Sequence, residues 1–177
     1  MSVTKNVKEN IRELQAVAEQ VDPEQLEQAA DACMQVKRIF FSGMGRSGNM
    51  VQALAIRFMH LGYEAYVAGD ASTPSIQKGD LLIAVTASAR TKVTLNHIET
   101  ARKQEARVLL ISAVPENPEI SDYFLCVPAR TKVETRQHAG SLFEQSVLVI
   151  GDAVAEELKE KRKVTTEFMN GRHANLQ

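Results

Sequence analysis

From Lys37 onward, short apolar runs alternate with stretches of helical periodicity. Five runs have the length of strands: Arg38–Phe41, Glu64–Val67, Leu81–Val85, Arg107–Ile111 and Tyr123–Val127. Helices are predicted over Ser47–Leu61, Thr91–Gln104 and Ser141–Lys161, with a short turn near Pro118–Ser121. Such alternation is typical of a parallel sheet, because each crossover between parallel strands usually contains a helix. The pattern predicts an α/β fold, a three-layer α/β/α sandwich around a five-stranded, doubly wound parallel sheet.

The first 35 residues read as a pair of helices placed before this alternation. Apolar residues from Val3 to Val21 recur at spacings of three and four, which is typical of an amphipathic helix. Asp22-Pro23 supplies an N-cap and a proline at the first helical position, so a second helix is predicted through about Gln35. We expect one domain over residues 1–177, in which this pair mediates oligomerisation and residues 36–177 form the core and the C-terminal tail.

Charge and composition exclude several classes of function. The chain has 21 basic and 22 acidic side chains, which argues against bulk attraction to nucleic acid. Its apolar runs fall short of the roughly 18 residues that span a bilayer, and no secretory signal is visible, so we expect a cytoplasmic protein without a membrane segment. Cys33 and Cys126 have no metal-ligand spacing; we expect them to be reduced core residues, and we expect no metal or other cofactor.

A glycine-rich loop follows the first predicted strand and opens a helix. Gly43-Met44-Gly45-Arg46-Ser47-Gly48 can hold a phosphate, because glycines allow close approach and the first N–H groups of the helix point at the ligand. The segment also matches GxGxxG, and Asp70 lies where a dinucleotide-binding fold keeps its ribose-binding acid. A nicotinamide-dependent oxidoreductase is therefore one alternative. Five strands leave no second mononucleotide-binding half, however, and Asp70 sits in a polar turn where aspartate commonly bonds to the backbone.

A second polar loop follows the third predicted strand. Thr86-Ala87-Ser88-Ala89-Arg90-Thr91 places three hydroxyls before the next helix. Hydroxyls at a helix start often act only as N-caps. Two such loops at the same edge of a sheet can instead surround a phosphate monoester, which needs several hydrogen-bond donors.

Together the two loops resemble the sugar isomerase (SIS) domain, a flavodoxin-like α/β fold that binds phosphosugars. Within it the chain is most similar to the 6-phospho-3-hexuloisomerases. The likeness extends over nearly the whole chain, through Arg57–Gly62, Gly140–Gln145 and Gly171–Leu176. It implies interconversion of D-arabino-hex-3-ulose 6-phosphate and D-fructose 6-phosphate in the ribulose monophosphate pathway, in which formaldehyde is fixed or, in reverse, released. The resemblance assigns phosphate and substrate binding to six residues: Gly45, Arg46, Ser47, Thr86, Ser88 and Thr91.

The chain departs from the family pattern in two loops. The second loop usually reads SGSGET, whereas here Ala87 and Ala89 replace glycines and Arg90 replaces a glutamate. Before Gly140 the family commonly has Pro-Met, whereas this chain has His138-Ala139 after a basic run. An isomerase of another phosphosugar and a non-catalytic phosphosugar-binding protein therefore remain alternatives.

The implied reaction needs one base and one proton donor. Glu144 is the candidate base, because the helix dipole favours an ionised carboxylate in a first turn. His173 is the candidate proton shuttle, since imidazole titrates near neutrality, and His138 is an alternative acid. His60 is interpreted as a packing or interface residue, and His97 is expected to face solvent.

The resemblance also implies a homo-oligomer, a dimer or a tetramer, whose sites are completed by neighbouring subunits. The single apolar stripe of the first helix fits that role. Ala174 and Leu176, beside His173, suggest that the tail docks on an apolar surface, which another subunit could supply.

Overall fold

The predicted strands form one parallel sheet. The computed structural model describes residues 2–114 and 119–176. Its strands are β1 (Arg38–Gly43), β2 (Glu64–Val67), β3 (Leu81–Val85), β4 (Arg107–Ser112) and β5 (Tyr123–Cys126). They are ordered β2-β1-β3-β4-β5, and every neighbouring pair is parallel. The predicted fold class is confirmed, and strand bounds differ from the predicted ones by at most two residues at an end.

The helices lie on both faces of this sheet. They are α1 (Val3–Ala18), α2 (Pro23–Met34), α3 (Arg46–His60), α4 (Lys92–Lys103), α5 (Ser141–Lys161) and α6 (Thr166–Gly171). α4 packs on one face, and α1, α2, α3 and α5 contribute to the core on the other. A turn was predicted near Pro118–Ser121. Pro118 lies outside the described residues, and Glu119 and Ile120 form a turn. The sequence reading missed α6.

The strand order places a reversal point at the centre of the sheet. From β1 the chain crosses to β2 on one side, and it then returns to β3 on the other side of β1. All five residues of β3 are buried, which is typical of a central strand covered on both faces. In sheets of this kind, ligands bind beyond the carboxyl ends of the strands at the reversal point. The site is therefore expected between β1 and β3.

The N-terminal helices pack against the α5 side of the molecule. Val17 of α1 and Ala29 of α2 lie in the same core cluster as the sheet. Toward the start of α1, however, Val3, Val7 and Ile11 are exposed. The apolar stripe of α1 thus extends beyond the surface that its own chain covers. Within the described residues, no helix combines the length and the apolar character needed to cross a bilayer.

The two cysteines differ in burial. Cys33 is buried in the core, and burial raises the pKa of its thiol to about 12. Cys126, which was also expected in the core, is only half-buried because it ends β5 at the rim of the sheet. Both thiols are free, as expected from the sequence.

Candidate functional site

The first loop at the reversal point owes its shape to three glycines. Gly45 has φ +60°, a left-handed conformation that favours glycine. A Cβ on Gly43 would lie 3.0 Å from the Ser47 carbonyl oxygen, and one on Gly48 would lie 3.0 Å from the Gly43 carbonyl oxygen. These glycines let β1 turn directly into α3. Because Gly45 is the N-cap, no side chain caps the start of α3.

The second loop presents hydroxyls beside the start of α4. Thr91 occupies the N-cap position, but its side chain makes no capping bond and instead lies 3.0 Å from the buried Thr86 hydroxyl. Ser88 is exposed between them. The simple N-cap interpretation of Thr91 is therefore wrong, and the start of α4, like that of α3, lacks a side-chain cap.

A third helix start brings a carboxylate to the same edge. Glu144 lies in the first turn of α5, and its Oε2 accepts a hydrogen bond from Nε of Arg46 at the start of α3. Gly140 leaves room for this carboxylate, because a Cβ there would lie 3.1 Å from Glu144 Oε1. The site thus joins Arg46 and Glu144, which are 98 positions apart in sequence.

The two members of this ion pair differ in exposure. The side chain of Glu144 is 11% exposed, whereas that of Arg46 is 64% exposed. A carboxylate in such a position is partly shielded from water and can act as a base on a bound molecule. The guanidinium can contact an anion at the mouth of the site.

This combination of fold and loops can be compared with known proteins. The family model of the SIS domain matches residues 34–157, which include all five strands and both loops. The chain belongs to the SIS domain family.

Relatives of this SIS protein match it over nearly their full length. It is 37% identical to 3-hexulose-6-phosphate isomerase of Mycobacterium gastri, over 99% of this chain and 92% of that protein. It is 36% identical to the Bacillus subtilis (strain 168) enzyme of that name, over 100% of both chains. A crystal structure from Methanococcus jannaschii, described as inferring that same molecular function, has a TM-score of 0.86 at 27% identity and covers 98% of this chain and 99% of that one.

The altered second loop keeps a glycine-like backbone. Ala89, which replaces a glycine of the usual SIS pattern, has φ +50°. An alanine is strained in this left-handed region, where glycine is not. The second loop thus contains one strained backbone position, at Ala89.

His173 lies far from Glu144 within one chain. It stacks on the buried His60 with ring centroids 5.0 Å apart, and His60 ends α3 whereas Arg46 begins it. The 15 residues of α3 separate these ends by about 20 Å. Burial, together with His173, Arg57 and Arg172, lowers the pKa of His60. His60 is thus a packing residue, as interpreted from the sequence, and Ala174 and Leu176 are exposed in this chain.

The other two histidines lie closer to the loops. His138 is exposed just before α5, where its carbonyl oxygen accepts bonds from Ser141 N and Oγ. The expectation that His97 faces solvent is wrong: Nδ1 of His97 lies 2.8 Å from Oγ of Ser42, which is fully buried in β1. Burial lowers the pKa of His97. Successive side chains of a strand point to opposite faces of the sheet, so Ser42 faces away from Phe41. This alternation could have indicated that Ser42 lies on the face that α4 and His97 cover.

Asp70 is exposed in a turn that follows β2. Its backbone closes a turn after β2, with its N–H bonded to Val67 O and its carbonyl oxygen accepting from Thr73 N. Thr73 Oγ1 also bonds to Val67 O. These bonds fit the turn interpretation of Asp70.

Proposed function

We propose that this protein is a 3-hexulose-6-phosphate isomerase, which interconverts D-arabino-hex-3-ulose 6-phosphate and D-fructose 6-phosphate. The observation that carries the proposal is the meeting of three helix starts at one edge of the sheet, none of which has a side-chain cap and one of which bears Glu144. Two relatives of that name match along 92% and 100% of their length.

The two loops would bind the phosphate. N–H groups at the starts of α3 and α4 are suited to an anion, because they lack side-chain caps and lie at the positive end of the helix dipole. Ser47 and Ser88 can add hydroxyl donors, and Arg46 can add a charge-assisted one. Thr86 is 3% exposed and its hydroxyl is within bonding distance of Thr91, so its role would be to hold the loop.

The chemistry requires one proton to leave C2 and another to reach C3. Glu144 would remove the C2 proton while the C3 carbonyl oxygen gains a proton, which gives a cis-enediol. Loss of the proton on O2 then forms the C2 carbonyl as C3 is protonated. In the 3-keto sugar the remaining free hydroxyls could close only strained rings, so no ring-opening residue is needed.

The second proton-transfer group would come from another copy of the chain. His173 stacks on His60 at the far end of α3, so it cannot reach the Glu144 of its own chain from that position. A dimer or tetramer could bring it to a neighbouring site, and the exposed Val3, Val7 and Ile11 are suited to such an assembly. His138 is the alternative within one chain.

Mixing two inactive variants tests this arrangement. Glu144→Gln and His173→Asn should each have low activity, and a mixture allowed to exchange subunits should recover about a quarter of the wild-type activity if each site combines two chains. No recovery, with subunit exchange verified by mass spectrometry, would place both groups in one chain or remove His173 from the mechanism.

A coupled assay tests the function itself. Hexulose 6-phosphate is made in situ from formaldehyde and ribulose 5-phosphate, and fructose 6-phosphate is measured as it appears. Turnover at a rate of 1 s⁻¹ or more, in the range of about 1 to 1,000 s⁻¹ usual for enzymes, is expected. Tight binding of fructose 6-phosphate without turnover would instead identify a phosphosugar-binding protein.

A further inference from the structure

A buried carboxylate on α1 holds a loop that is distant in sequence. Glu13 is 3% exposed. Its carboxylate accepts hydrogen bonds from Thr135 Oγ1 at 2.6 Å, Gln137 Nε2 at 2.9 Å and Arg136 N at 3.2 Å. All three donors belong to the segment 129–140, which we name the basic loop. A single acidic side chain thus fixes three successive residues of that loop.

The basic loop has an unfavourable backbone that needs support. Arg130 and Ala139 have φ values of +65° and +47°, in the left-handed region that costs non-glycine residues free energy. Inside the loop, Arg130 Nη2 donates to Gln137 O at 2.6 Å, and Gln137 N donates to Thr135 Oγ1 at 3.0 Å. The guanidinium of Arg130 is therefore held by Gln137, a residue that Glu13 binds.

The same loop forms one wall of the candidate site. A cavity of about 330 Å³ lies between the second phosphate loop and the start of α5. Ser88 lines it on one side, and Arg130, Ala139 and Gly140 line it on the other. Gly140 is also the N-cap of the helix that carries Glu144. Displacement of the basic loop would therefore move the cavity wall and the N-terminus of α5 together.

We propose that Glu13 is a positioning residue for the isomerase reaction: by anchoring the basic loop, it sets the wall formed by Arg130 and the start of the helix bearing Glu144. This inference rests on the proposed function. Glu13 itself does not touch the substrate, and its effect passes through Thr135, Arg136 and Gln137.

The chemistry of the contact favours a carboxylate over an amide. Three donors converge on two oxygens, which an ionised carboxylate can accept in full. Burial opposes ionisation, but the bonds from Thr135, Gln137 and Arg136 N lower the pKa of Glu13 below its ordinary value. Nearby charged groups are Glu9 and Arg12 on α1 and Arg136 in the loop. A glutamine at this position would place its NH2 group against at least one of these three donors.

The test compares Glu13→Gln with Glu19→Gln, a change of the exposed carboxylate at the C-cap of the same helix. At a temperature where both variants are folded by circular dichroism, Glu13→Gln should lower kcat/KM by about ten- to a hundredfold, the scale for a displaced catalytic group, and Glu19→Gln should not. The double variant Glu13→Gln, Gln137→Glu exchanges the donor and the acceptor between positions 13 and 137. It should recover most of the kcat/KM that the single variant loses. Amide exchange should be faster in residues 129–140 of the single variant.

The outcomes separate this inference from the function on which it rests. Wild-type kcat/KM in folded Glu13→Gln, or a lower melting temperature with unchanged kinetics, would overturn the positioning role and leave the proposed function standing. A wild-type chain that turns over neither sugar would overturn the proposed function and, with it, a role for Glu13 in that reaction.

Discussion

The two ends of α3 differ in whether side chains bond to their terminal backbone groups. At its start, Gly45 gives no side-chain cap, and Arg46 donates to the catalytic candidate Glu144. At its other end, Arg172 Nε donates to Met59 O at 2.6 Å and Arg162 Nη1 donates to Leu61 O at 3.1 Å. The helix thus has its terminal carbonyl oxygens bonded by its own chain, while its terminal N–H groups have no side-chain cap.

This difference indicates that the C-terminal end of α3 has a structural role and its N-terminal end a functional one. An unpaired group at a helix end is normally satisfied by side chains or water. Arginines at a C-terminus also complement the helix dipole, as expected for a structural contact. The uncapped start of α3 is repeated at α4 across the reversal point, where a phosphate would supply the missing acceptors. Changes at the start of α3 should therefore affect catalysis and binding, and changes at its end should affect stability.

The largest effect is expected from Glu144→Gln, because it removes the base but keeps the shape of the side chain. Turnover should fall at least about a hundredfold, with affinity for fructose 6-phosphate nearly unchanged. Steady-state kinetics and calorimetry measure the two quantities. Glu156→Gln, an exposed change on the same helix, is the control. Wild-type turnover in Glu144→Gln would remove this residue from the mechanism.

Ser88→Ala should mainly weaken binding. Loss of one hydroxyl donor to a partly buried phosphate costs about 1 to 3 kcal/mol, which is about five- to 150-fold in affinity. Calorimetric titration with fructose 6-phosphate measures the change. Thr100→Ala, which removes an exposed hydroxyl bonded to Asn96 O on α4, should bind normally. Equal affinities of the two variants would show that the second loop does not hold the phosphate.

At the opposite end of α3, Arg162→Met should reduce stability and spare activity. Its guanidinium lies 4.0 Å from the centroid of the buried Tyr63 ring and donates to Leu61 O, so its loss should cost about 1 kcal/mol. Denaturant unfolding measures this loss, with Arg102→Met on α4 as the control. A large fall in kcat at an unchanged free energy of unfolding would contradict the distinction between the two ends.

The smallest expected effect is a pH dependence of stability, caused by His60 at the C-terminal end of α3. The pKa of His60 is lowered in the fold, so the unfolded chain binds its proton first as pH falls. Stability should therefore be lost progressively below about pH 6.5. Because the intrinsic exchange of amides is base-catalysed and slower at low pH, the comparison uses protection factors, and those of α6 should be lower at pH 5.5 than at pH 7.5. The pKa of His97 is lowered as well, so global stability depends on both histidines. Amide protection in α6, which contacts α3, is therefore the measurement that reports on His60. His60→Asn should weaken this pH dependence; an unchanged dependence would contradict the assignment.

The sheet could be predicted from the sequence because its signals are local. Buried parallel strands give contiguous apolar runs, and the bounds of β2, β3 and α5 agree with the predicted ones. α6 gave no such signal, because six residues are too few to show helical periodicity. The ring of its Phe168 packs on Gly62 and lies 3.2 Å from where a Cβ on that glycine would be.

The candidate site was predictable only in part. Its loops follow strands directly, so their residues could be named from position in the sequence. The contacts of Glu13, His97 and His173 join positions that are distant in sequence, and no local pattern encodes them. Glu13 in particular lies in a helix that also carries Lys5, Lys8, Glu9 and Arg12, where a solvated side chain is the ordinary expectation.

Hydrogen exchange into the substrate tests the central claim most directly. An enediol between C2 and C3 requires fructose 6-phosphate, incubated with the enzyme in D₂O, to gain deuterium at C3. Proton NMR should show loss of the C3 signal with C1 unchanged, and Glu144→Gln should slow this loss. Deuterium at C1 would indicate a different isomerase, and no exchange at either carbon would contradict the account of this site as an isomerase centre.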